Sequence, residues 1–284
     1  MTLSEYFSSP QTLLWPEATE LNKMGAIYLN KSRMKAFEPD FLLNAGDYFR
    51  IHREPRRYDL PSFTATSRII EENADFVVLN KPAGLPVHAT IDNLHDNIIE
   101  WLKSDSHFSE TPLFVTHRLD AVTEGLLVIA KTESFLQGFN KLLIRRQVEK
   151  IYEALHMGPK FPSGILEDWM QKSPAVPKIV CAPDDPGAQL CQLEILESKT
   201  VSPHVAMARI RLLTGRTHQI RVQLAARGCI ILGDHLYGAQ EKVLGKNRIA
   251  LRCSQLQFRW LNKEWDFNLG AWEVQGLPLK LPPL

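Results

Sequence analysis

Residues 113–131 have the sequence LFVTHRLDAVTEGLLVIAK, in which two apolar runs enclose a polar loop. The runs LFV and GLLVIAK are short and rich in branched residues, which is typical of buried strands. The loop places a histidine, an arginine and an aspartate within four residues, His117 to Asp120. Loops on a rigid scaffold expose such side chains for chemistry. A lone HxxD nevertheless favours a simpler interpretation, an aspartate that bonds its own backbone in a turn.

The segments around this unit alternate between the hydrophobic periods of strands and helices. FVVL (76–79) predicts a buried strand, and the prolines and glycine of NKPAGLPVH (80–88) predict a shaped loop after it. Two helices are predicted from apolar residues at helical spacing: Leu94, Ile98, Trp101 and Leu102, then Phe135, Phe139, Leu142 and Leu143. A strand containing Tyr152 follows, and the alternating runs 191–195 and 206–212 predict a strand pair. This pattern indicates an α+β domain.

The first part of the chain predicts a separate small α/β module over residues 1–56. It contains a helical stretch near Glu17 to Met24 and the strand-like segments GAIYLN and AGDYFRIH. The segment REPRRYDLPS that follows has two prolines and three arginines, a composition that favours an exposed linker. We therefore expect a module at 1–56, a linker at 57–67 and the main domain at 68–284.

Composition and charge exclude several classes of protein. The chain has 284 residues, of which 44% are hydrophobic and 23% charged, and its formal charge is +1, which excludes a histone-like tail. Its apolar stretches fall short of the roughly 20 residues that cross a bilayer, and the start MTLSEYF lacks the pattern of a signal peptide. The four cysteines are far apart in sequence and form no CxxC pair, which favours reduced thiols. The sequence thus predicts a cytoplasmic protein with no membrane contact.

The segment GRTHQIRVQLAARG (215–228) predicts a short helix with an unusual charge pattern. Thr217 is the expected N-cap, Ile220 and Leu224 form the apolar face and Gly228 ends the helix. Three cationic or basic side chains lie near the start, which is already the positive end of the helix dipole: Arg216, His218 and Arg221. A phosphate or carboxylate docked there would resolve the conflict. A solvated basic face is the alternative.

Charge is also unevenly placed along the chain. The segment between Val205 and Trp260 contains ten lysines and arginines but only two acidic residues, Asp234 and Glu241. The ten are Arg209, Arg211, Arg216, Arg221, Arg227, Lys242, Lys246, Arg248, Arg252 and Arg259. Tyr237, Phe258 and Trp260 are interspersed among them. Such a basic stripe with aromatic rings suits a polyanion with stackable bases. An ordinary solvated face with core aromatics is the alternative.

Metal and nucleotide chemistry have little support. The possible metal ligands are His117, Asp120, His218, Asp234 and His235, but no HExxH, paired cysteine or DxDxG pattern spaces them for a metal. Phosphate-binding loops of the GxxxxGK[ST] or GxGxxG type are also missing. We therefore expect neither a metal nor a cofactor, and a metallohydrolase is the least favoured reading of these residues.

Four segments in order resemble the RluA-type pseudouridine synthases, which isomerise chosen uridines in ribosomal or transfer RNA. They are LNKPAGLPVH (79–88), HRLDAVTEGLLVIAKT (117–132), EKIYEAL (149–155) and GRTHQIRVQLAARGCIILGDHLYG (215–238). The resemblance implies a mixed, mostly antiparallel central sheet with flanking helices and a catalytic cleft, and catalysis without metal or cofactor. Residues 1–56 resemble, more faintly, the small alpha-L RNA-binding module that often precedes this domain.

The resemblance also implies roles for individual residues. Asp120 corresponds to the catalytic aspartate, Arg221 to the arginine that pairs with it, and Tyr152 to the tyrosine that lies against the target base. Arg118 is expected to hold the flipped nucleotide or to fill the place it vacates. The matching motifs supply six further candidate substrate-binding residues: His117, Thr123, Lys150, Arg216, His218 and Gln219.

Three positions depart from the family pattern without removing a catalytic residue. Glu124 stands where the family usually has serine, Gln223 where it has histidine, and Arg252 in place of the histidine of LHA. A glutamate beside an RNA-facing loop is expected to repel phosphate. The departures therefore leave the substrate open.

Pseudouridine formation is an isomerisation that breaks the bond from ribose to the base nitrogen and rejoins the base through carbon. An ionised carboxylate suffices, whether Asp120 attacks the base, attacks the sugar or acts as a base, and a nearby guanidinium would favour its charged form. We therefore predict an isomerase that acts on ribosomal or transfer RNA, most simply as a monomer. The alternative is a catalytically silent RNA-binding or ribosome-assembly factor with the same fold.

Overall fold

The computed structural model describes residues 1–8, 12–173, 176–240, 244–245, 247–274 and 280–281 of the chain. The helices are α1 (Leu3–Tyr6), α2 (Trp15–Lys23), α3 (Ile98–Lys103), α4 (Glu133–Ile144) and α5 (Gln219–Ala225), with single 3-10 turns at Thr66–Arg68 and His235–Tyr237. None of the helices within these ranges is long and apolar enough to cross a bilayer.

Eleven strands form one large sheet. They are β4 (Ile69–Glu72), β5 (Phe76–Lys81), β6 (Phe114–Val115), β7 (Glu124–Ala130), β8 (Glu149–Met157), β9 (Gly164–Gln171), β10 (Val180–Cys181), β11 (Ala188–Ser202), β12 (Val205–Leu212), β13 (Leu251–Trp260) and β14 (Lys263–Asn268). The order is β10-β9-β11-β12-β8-β13-β7-β5-β4, with β6 on β7 and β14 on β13. Only the pair β13 and β7 is parallel, so among the described strands the sheet is mixed and mostly antiparallel. The predicted α+β fold class is confirmed.

Most predicted strands and helices of the main domain form where the hydrophobic pattern indicates, but α3 begins only at Ile98, after the N-cap Asn97, so the predicted helical residue Leu94 lies outside it. Strand β5 is apolar and buried on both faces from Phe76 to Leu79. Helix α4 begins at the N-cap Thr132, whose hydroxyl accepts the Phe135 N–H at 3.2 Å, and it buries Phe135 and Phe139. These two rings pack with Phe76 and Phe258 in the main core. Phe258 is therefore a core residue, and the prediction that its ring could stack on RNA bases is wrong.

Gly125 makes the parallel junction of the sheet possible. Its φ is +116°, and a Cβ built there would lie 2.3 Å from the Cys253 carbonyl oxygen. No larger residue fits this approach of two backbones. The glycine thus sets where β7 meets β13, directly beyond the loop that carries Asp120.

The N-terminal residues form a small sheet of their own. Strands β1 (Ile27–Leu29), β2 (Ser32–Arg33) and β3 (Phe49–Ile51) pair in the order β2-β1-β3 over a separate cluster that includes Leu3, Phe7, Ala18, Ile27 and Met34. Two side chains connect this sheet to the loop after β5. The Tyr28 hydroxyl donates to Ile91 O at 2.8 Å, and Arg33 Nη2 donates to Thr90 O at 2.7 Å.

The segment 57–67 has no strand or α-helix, but it is anchored to the main domain. Tyr58 is buried in the main core, and Arg57 Nε donates to Asp96 at 2.8 Å. The division into a module at 1–56, a linker and a domain at 68–284 stays a prediction.

The last described part of the chain includes the two-residue strand β15 (Trp272–Glu273), which pairs with β16 (Lys280–Leu281). Two buried charged side chains, Glu124 and Arg252, contact Trp272 of β15. Trp272 Nε1 donates to Glu124 Oε1 at 2.7 Å, and Arg248 Nη2 donates to Glu124 Oε2 at 2.7 Å. Arg252 lies over the Trp272 ring at 5.1 Å and pairs with Glu153 at 2.6 Å. Two of the departures from the family pattern, Glu124 and Arg252, therefore belong to one internal network. The expectation that Glu124 repels phosphate is wrong, because its carboxylate is buried and neutralised.

This network leads to a stability prediction. Trp272→Phe should lower the free energy of unfolding by about 2 kcal/mol more than Trp265→Phe, because a buried carboxylate loses a donor. Trp265 is the matched control: its indole N–H is buried without a partner among the described residues, and it too has a cation over its ring. Urea denaturation of both variants measures the difference. Equal losses would show that the Glu124 bond adds nothing.

Candidate active site

One cleft, with a volume of about 810 Å³, lies over the middle of the sheet. It is bounded by the loop after β5, the HRLD loop, the end of α4 with the start of β8, and the turn that leads from β12 into α5. All ten candidate site residues line this cleft: His117, Arg118, Asp120, Thr123, Lys150, Tyr152, Arg216, His218, Gln219 and Arg221. The fold thus brings together residues up to 104 positions apart in sequence, since His117 and Arg221 are its first and last members.

The centre of the cleft is an ion pair between Asp120 and Arg221. Arg221 Nη1 donates to Asp120 Oδ2 at 3.1 Å. The Asp120 side chain is 22% exposed and the Arg221 side chain 5% exposed, so the carboxylate faces the cleft and the guanidinium lies behind it. The positive guanidinium is therefore in direct contact with the carboxylate that faces the cleft.

Arg221 is held in turn by Asp234, a residue for which the sequence did not predict this role. Asp234 accepts two hydrogen bonds, from Arg221 Nε at 2.7 Å and Nη2 at 2.8 Å, and is 1% exposed. Burial opposes the charge of Arg221, but the hydrogen bonds and charge of Asp234, helped by Asp120, raise the pKa of Arg221. Such a bidentate pair fixes the direction of the guanidinium.

These contacts correct the charge argument made for helix α5. The sequence favoured an external anion beside Arg221, whereas the structure supplies two carboxylates of the chain itself. The expected cap is also wrong. His218 occupies the N-cap position with a φ of +59°, and no side chain caps the helix. Thr217 is exposed one residue earlier.

Tyr152 faces the cleft from β8, next to Cys253 and Asp120. It is 5% exposed, and burial, aided by these two neighbours, raises the pKa of Tyr152 well above its ordinary value. Burial also raises the pKa of Cys253 to about 12. Tyr152 therefore keeps its proton and presents a flat ring with a neutral hydroxyl.

His117 and Thr123 lie in the wall at either end of the HRLD loop. His117 Nε2 accepts the Val128 N–H at 3.2 Å, and its ring stacks on Phe139. Burial, with a smaller contribution from Lys150, lowers the pKa of His117 to about 3, so the ring is neutral. His117 Nδ1 and Thr123 Oγ1 are buried and have no hydrogen-bond partner among the described residues. Each leaves one polar atom unused by the protein.

The cationic residues at the cleft differ in their exposure and in their partners within the protein. Arg118 and Arg216 are exposed, and Arg118 has no hydrogen bond or ion pair to another described residue. Lys150 is partly buried, and burial lowers the pKa of Lys150. These three side chains bring positive charge to the cleft, and Arg146 and Arg211 also line it.

Gln219 contributes to the cleft by shaping a turn. Its Oε1 accepts from Thr214 Oγ1 and from the Arg216 N–H, and its Nε2 donates to Gln192 O and Gln223 Oε1. Gln223, the third departure from the family pattern, is also buried and donates to Asp168 at 2.7 Å. Both amides are used within the protein, so their effect on a ligand is through the shape of the turn.

The predicted basic stripe is divided between buried and exposed positions in the described residues. Five of its arginines are paired with carboxylates of the chain: Arg211, Arg221, Arg227, Arg248 and Arg252. Trp260 packs against Phe135, and Tyr237 lies against Arg221 and His218. Lys242 and Lys246, and the acidic Glu241, lie outside the described residues. Arg221 and Arg252 are buried in ion pairs, whereas Arg216, Arg227 and Arg259 are exposed, so the described cations do not form one continuous basic stripe.

The possible metal ligands are also engaged elsewhere. Both Asp234 oxygens accept from Arg221, and His235 Nδ1 lies 2.8 Å from Ala239 O. Within the described ranges, no three side chains of histidine, cysteine, aspartate or glutamate converge as a metal site.

Lys81 supports the candidate site from the interior, a role that the sequence did not predict. It ends β5 and is fully buried. Its Nζ donates to the carbonyl oxygens of Pro82, Ala121 and Thr123 at 2.8, 3.2 and 2.8 Å, so it supports the turn that follows Asp120. A lysine at the end of an apolar strand was the available signal, because lysine is rarely buried without acceptors.

Lys81 also predicts a pH dependence of stability. Burial lowers the pKa of Lys81 to about 7, whereas an unfolded lysine has a pKa of about 10.4. Between these values the unfolded chain binds more protons, so folding gains from rising pH. The unfolding free energy of the wild type minus that of Lys81→Met should therefore increase by about 1 kcal/mol per pH unit from about pH 7 to about pH 9.5. Urea denaturation across this range measures it, and parallel curves would contradict the prediction.

Comparisons with known proteins agree on one family. The pattern described as RNA pseudouridylate synthase matches residues 75–226. RNA pseudouridine synthase 6, chloroplastic, of Arabidopsis thaliana is 35% identical over 68% of this chain, and the match covers 45% of that protein. Ribosomal large subunit pseudouridine synthase D of Haemophilus ducreyi is 28% identical, over 83% of this chain and 70% of that protein. The chain therefore spans about half the length of the Arabidopsis relative.

A solved structure shares the fold. Human RNA pseudouridylate synthase domain containing 4 superposes with a TM-score of 0.57 and 25% identity, over 77% of this chain and 90% of that one.

Proposed function

Because the chain belongs to the RNA pseudouridylate synthase family, we propose that it isomerises selected uridines of RNA to pseudouridine, with Asp120 as the catalytic carboxylate. The observation that carries this proposal is the contact of Asp120 with Arg221 at 3.1 Å on the floor of the cleft. The reaction needs an ionised carboxylate beside the target nucleotide, and this pair supplies one.

The cleft has the size and chemistry for a single nucleotide removed from its stack. Its volume of about 810 Å³ is within the roughly 300–1,000 Å³ of ligand sites. Unstacking a base costs a few kcal/mol, which Arg118, Arg216 and Lys150 would offset by contacts to phosphate. Tyr152 offers a flat face to the base. Its neutral hydroxyl lies near Asp120, where the base carbon must lose its proton.

The alternative of a catalytically silent RNA-binding or assembly factor rested on the three departures from the family pattern. Glu124, Gln223 and Arg252 are all buried and bonded within the protein. They leave Asp120, Tyr152 and Arg221 facing the cleft. The enzymatic function is therefore the one that the site supports best.

The experiment is a tritium-release assay on bulk ribosomal and transfer RNA made without modifications and tritiated at C5 of uridine. Isomerisation attaches C5 to the ribose and frees its hydrogen, so purified protein is expected to release tritium into water. RNA binding without release would favour the silent factor instead. Pseudouridine mapping of cellular RNA with and without the gene would then identify the uridine.

The RNA class and the setting of the protein belong to the same proposal. The Haemophilus ducreyi relative is named for the large ribosomal subunit, which supports ribosomal RNA ahead of transfer RNA. We keep residues 1–56 as an RNA-binding module, and a cytoplasmic monomer as the working assignment. The Arabidopsis relative carries the word chloroplastic in its name, so cell fractionation is the test of location.

A further inference from the structure

The Tyr237 side chain contacts Lys178, His218 and Arg221 beside the cleft. Its hydroxyl accepts the backbone N–H of Lys178 at 3.0 Å and lies 3.1 Å from His218 Nδ1. The Arg221 guanidinium lies over its ring, 5.1 Å from the centre. Tyr237 therefore touches two neighbours of Asp120, the paired Arg221 and the adjacent His218.

The hydrogen between Tyr237 and His218 can be assigned from these contacts. A backbone N–H can only donate, so the Tyr237 oxygen is the acceptor for Lys178. Burial raises the pKa of Tyr237 to about 12, so the hydroxyl keeps its own hydrogen. Among the described residues, His218 Nδ1 is the acceptor within reach of that hydrogen. A neutral imidazole that accepts at Nδ1 carries its hydrogen on Nε2.

The other side of the His218 ring supports the same assignment independently. His218 Nε2 lies 3.9 Å from Asp120 Oδ2. An ionised carboxylate can only accept, so an N–H on Nε2 is attracted to Asp120 and a lone pair there would be repelled. At 3.9 Å the contact is longer than a hydrogen bond, as catalytic contacts often are before substrate binds.

The backbone conformation at His218 is consistent with a ring that is held in place by its neighbours. Its φ of +59° lies in the left-handed region, which costs a non-glycine residue about 1 kcal/mol or more and persists where the surroundings demand it. This conformation places the ring between Tyr237 and Asp120. The charged groups that face the ring are Asp120, Arg221, Asp234 and Lys178, and burial is the main cause that lowers the pKa of His218.

We propose that Tyr237 is a positioning residue of the active site: its hydroxyl fixes His218 as the Nε2–H tautomer, which directs a second N–H, besides that of Arg221, at the Asp120 carboxylate. The tautomer is a property of the folded protein. Only its effect on rate rests on the proposed function.

The direct test is nitrogen NMR of the full chain labelled at histidine nitrogens, at about pH 7.5. Among the nine histidines, the signals of His218 are identified as those that disappear in His218→Asn. Asparagine is chosen because it tolerates the left-handed backbone. We expect His218 to show a protonated Nε2 and an unprotonated Nδ1. In Tyr237→Phe, which loses only the hydroxyl, the Nδ1–H form should appear. A wild-type His218 in the Nδ1–H form or as imidazolium overturns the proposal, and so does a tautomer unchanged in Tyr237→Phe.

The kinetic test uses single-turnover tritium release with unmodified bulk RNA. Tyr237→Phe should slow release by about 10- to 100-fold, since a misdirected group near the reacting atoms costs that much, while RNA affinity stays unchanged. Tyr58→Phe is the matched control, because Tyr58 is buried in the core outside the cleft. Equal rates for Tyr237→Phe and wild type would overturn the positioning role. If no variant and no wild-type protein releases tritium, the proposed function fails, and the NMR result still decides the tautomer.

Discussion

Asp120→Asn should abolish tritium release from C5-labelled RNA, with a fall in rate of about 10⁴-fold or more. In the wild type, Arg221 Nη1 lies 3.1 Å from Asp120 Oδ2. The amide of the variant has nearly the same shape as the carboxylate, and its oxygen can still accept this hydrogen bond. The variant loses the negative charge and the nucleophilic or basic oxygen. RNA affinity should change little, because phosphate contacts supply most of the affinity.

The control for this variant is Asp59→Asn, the same chemical change at an exposed residue outside the cleft. It should release tritium at the wild-type rate. Comparable release by Asp120→Asn and Asp59→Asn would remove Asp120 from the mechanism. Loss of RNA binding together with loss of release would instead place Asp120 in substrate binding.

Asp234→Asn should have the largest effect on stability, lowering the free energy of unfolding by about 3–5 kcal/mol. Arg221 and Asp234 are 5% and 1% exposed, so removing the negative charge leaves a buried guanidinium with Asp120 as its remaining ionic partner. The amide oxygen of the variant can accept from only one of Arg221 Nε and Nη2, and its NH2 group faces the other donor, so the guanidinium is no longer held in the direction of Asp120. We expect tritium release to fall even at temperatures where the variant stays folded.

Asp168→Asn is the matched control because Asp168 also receives two bonds from one arginine. Arg227 Nη1 and Nη2 lie 2.8 and 3.2 Å from its oxygens, but the Arg227 side chain is 31% exposed. Water can solvate that cation when its partner is removed, so the loss should be about 1 kcal/mol. Urea denaturation compares the two variants. Equal losses would mean that burial of the Arg221 pair adds no cost.

The pattern of apolar residues was sufficient to predict most elements of the main domain. The runs 113–115 and 125–131 form strands, and Phe135 and Phe139 face the core from a helix, because period and propensity act over neighbouring residues. The motifs also identified Asp120 and Arg221 as residues of one site, through resemblance. What the motifs could not supply was the second partner of Arg221, the buried Asp234.

Predictions based on charge failed most often, and for one reason. A cation in a sequence has the same appearance whether it faces solvent or a buried carboxylate. Arg248 and Arg252 were assigned to a basic stripe, yet they pair with Glu124 and Glu153 on strands far away in sequence. The role of Lys81 and the hydroxyl contacts of Tyr237 were not predicted, because their acceptors and donors include backbone groups of other segments. Backbone groups carry no sequence signal.

The sequence by itself determined the α+β class, the strand–loop–strand unit that carries Asp120 and the polar residues available to the cleft. These follow from local rules, since hydrophobic period, glycine and proline act within a few residues. Tertiary structure alone decided which charges meet. Arg221 could face solvent, an external anion or a carboxylate of the chain, and the packing of α5 against the HRLD loop places Asp120 and Asp234 around it. The physical reason is that an ion pair depends on distances of a few ångströms between segments about a hundred residues apart, and only the folded sheet sets those distances.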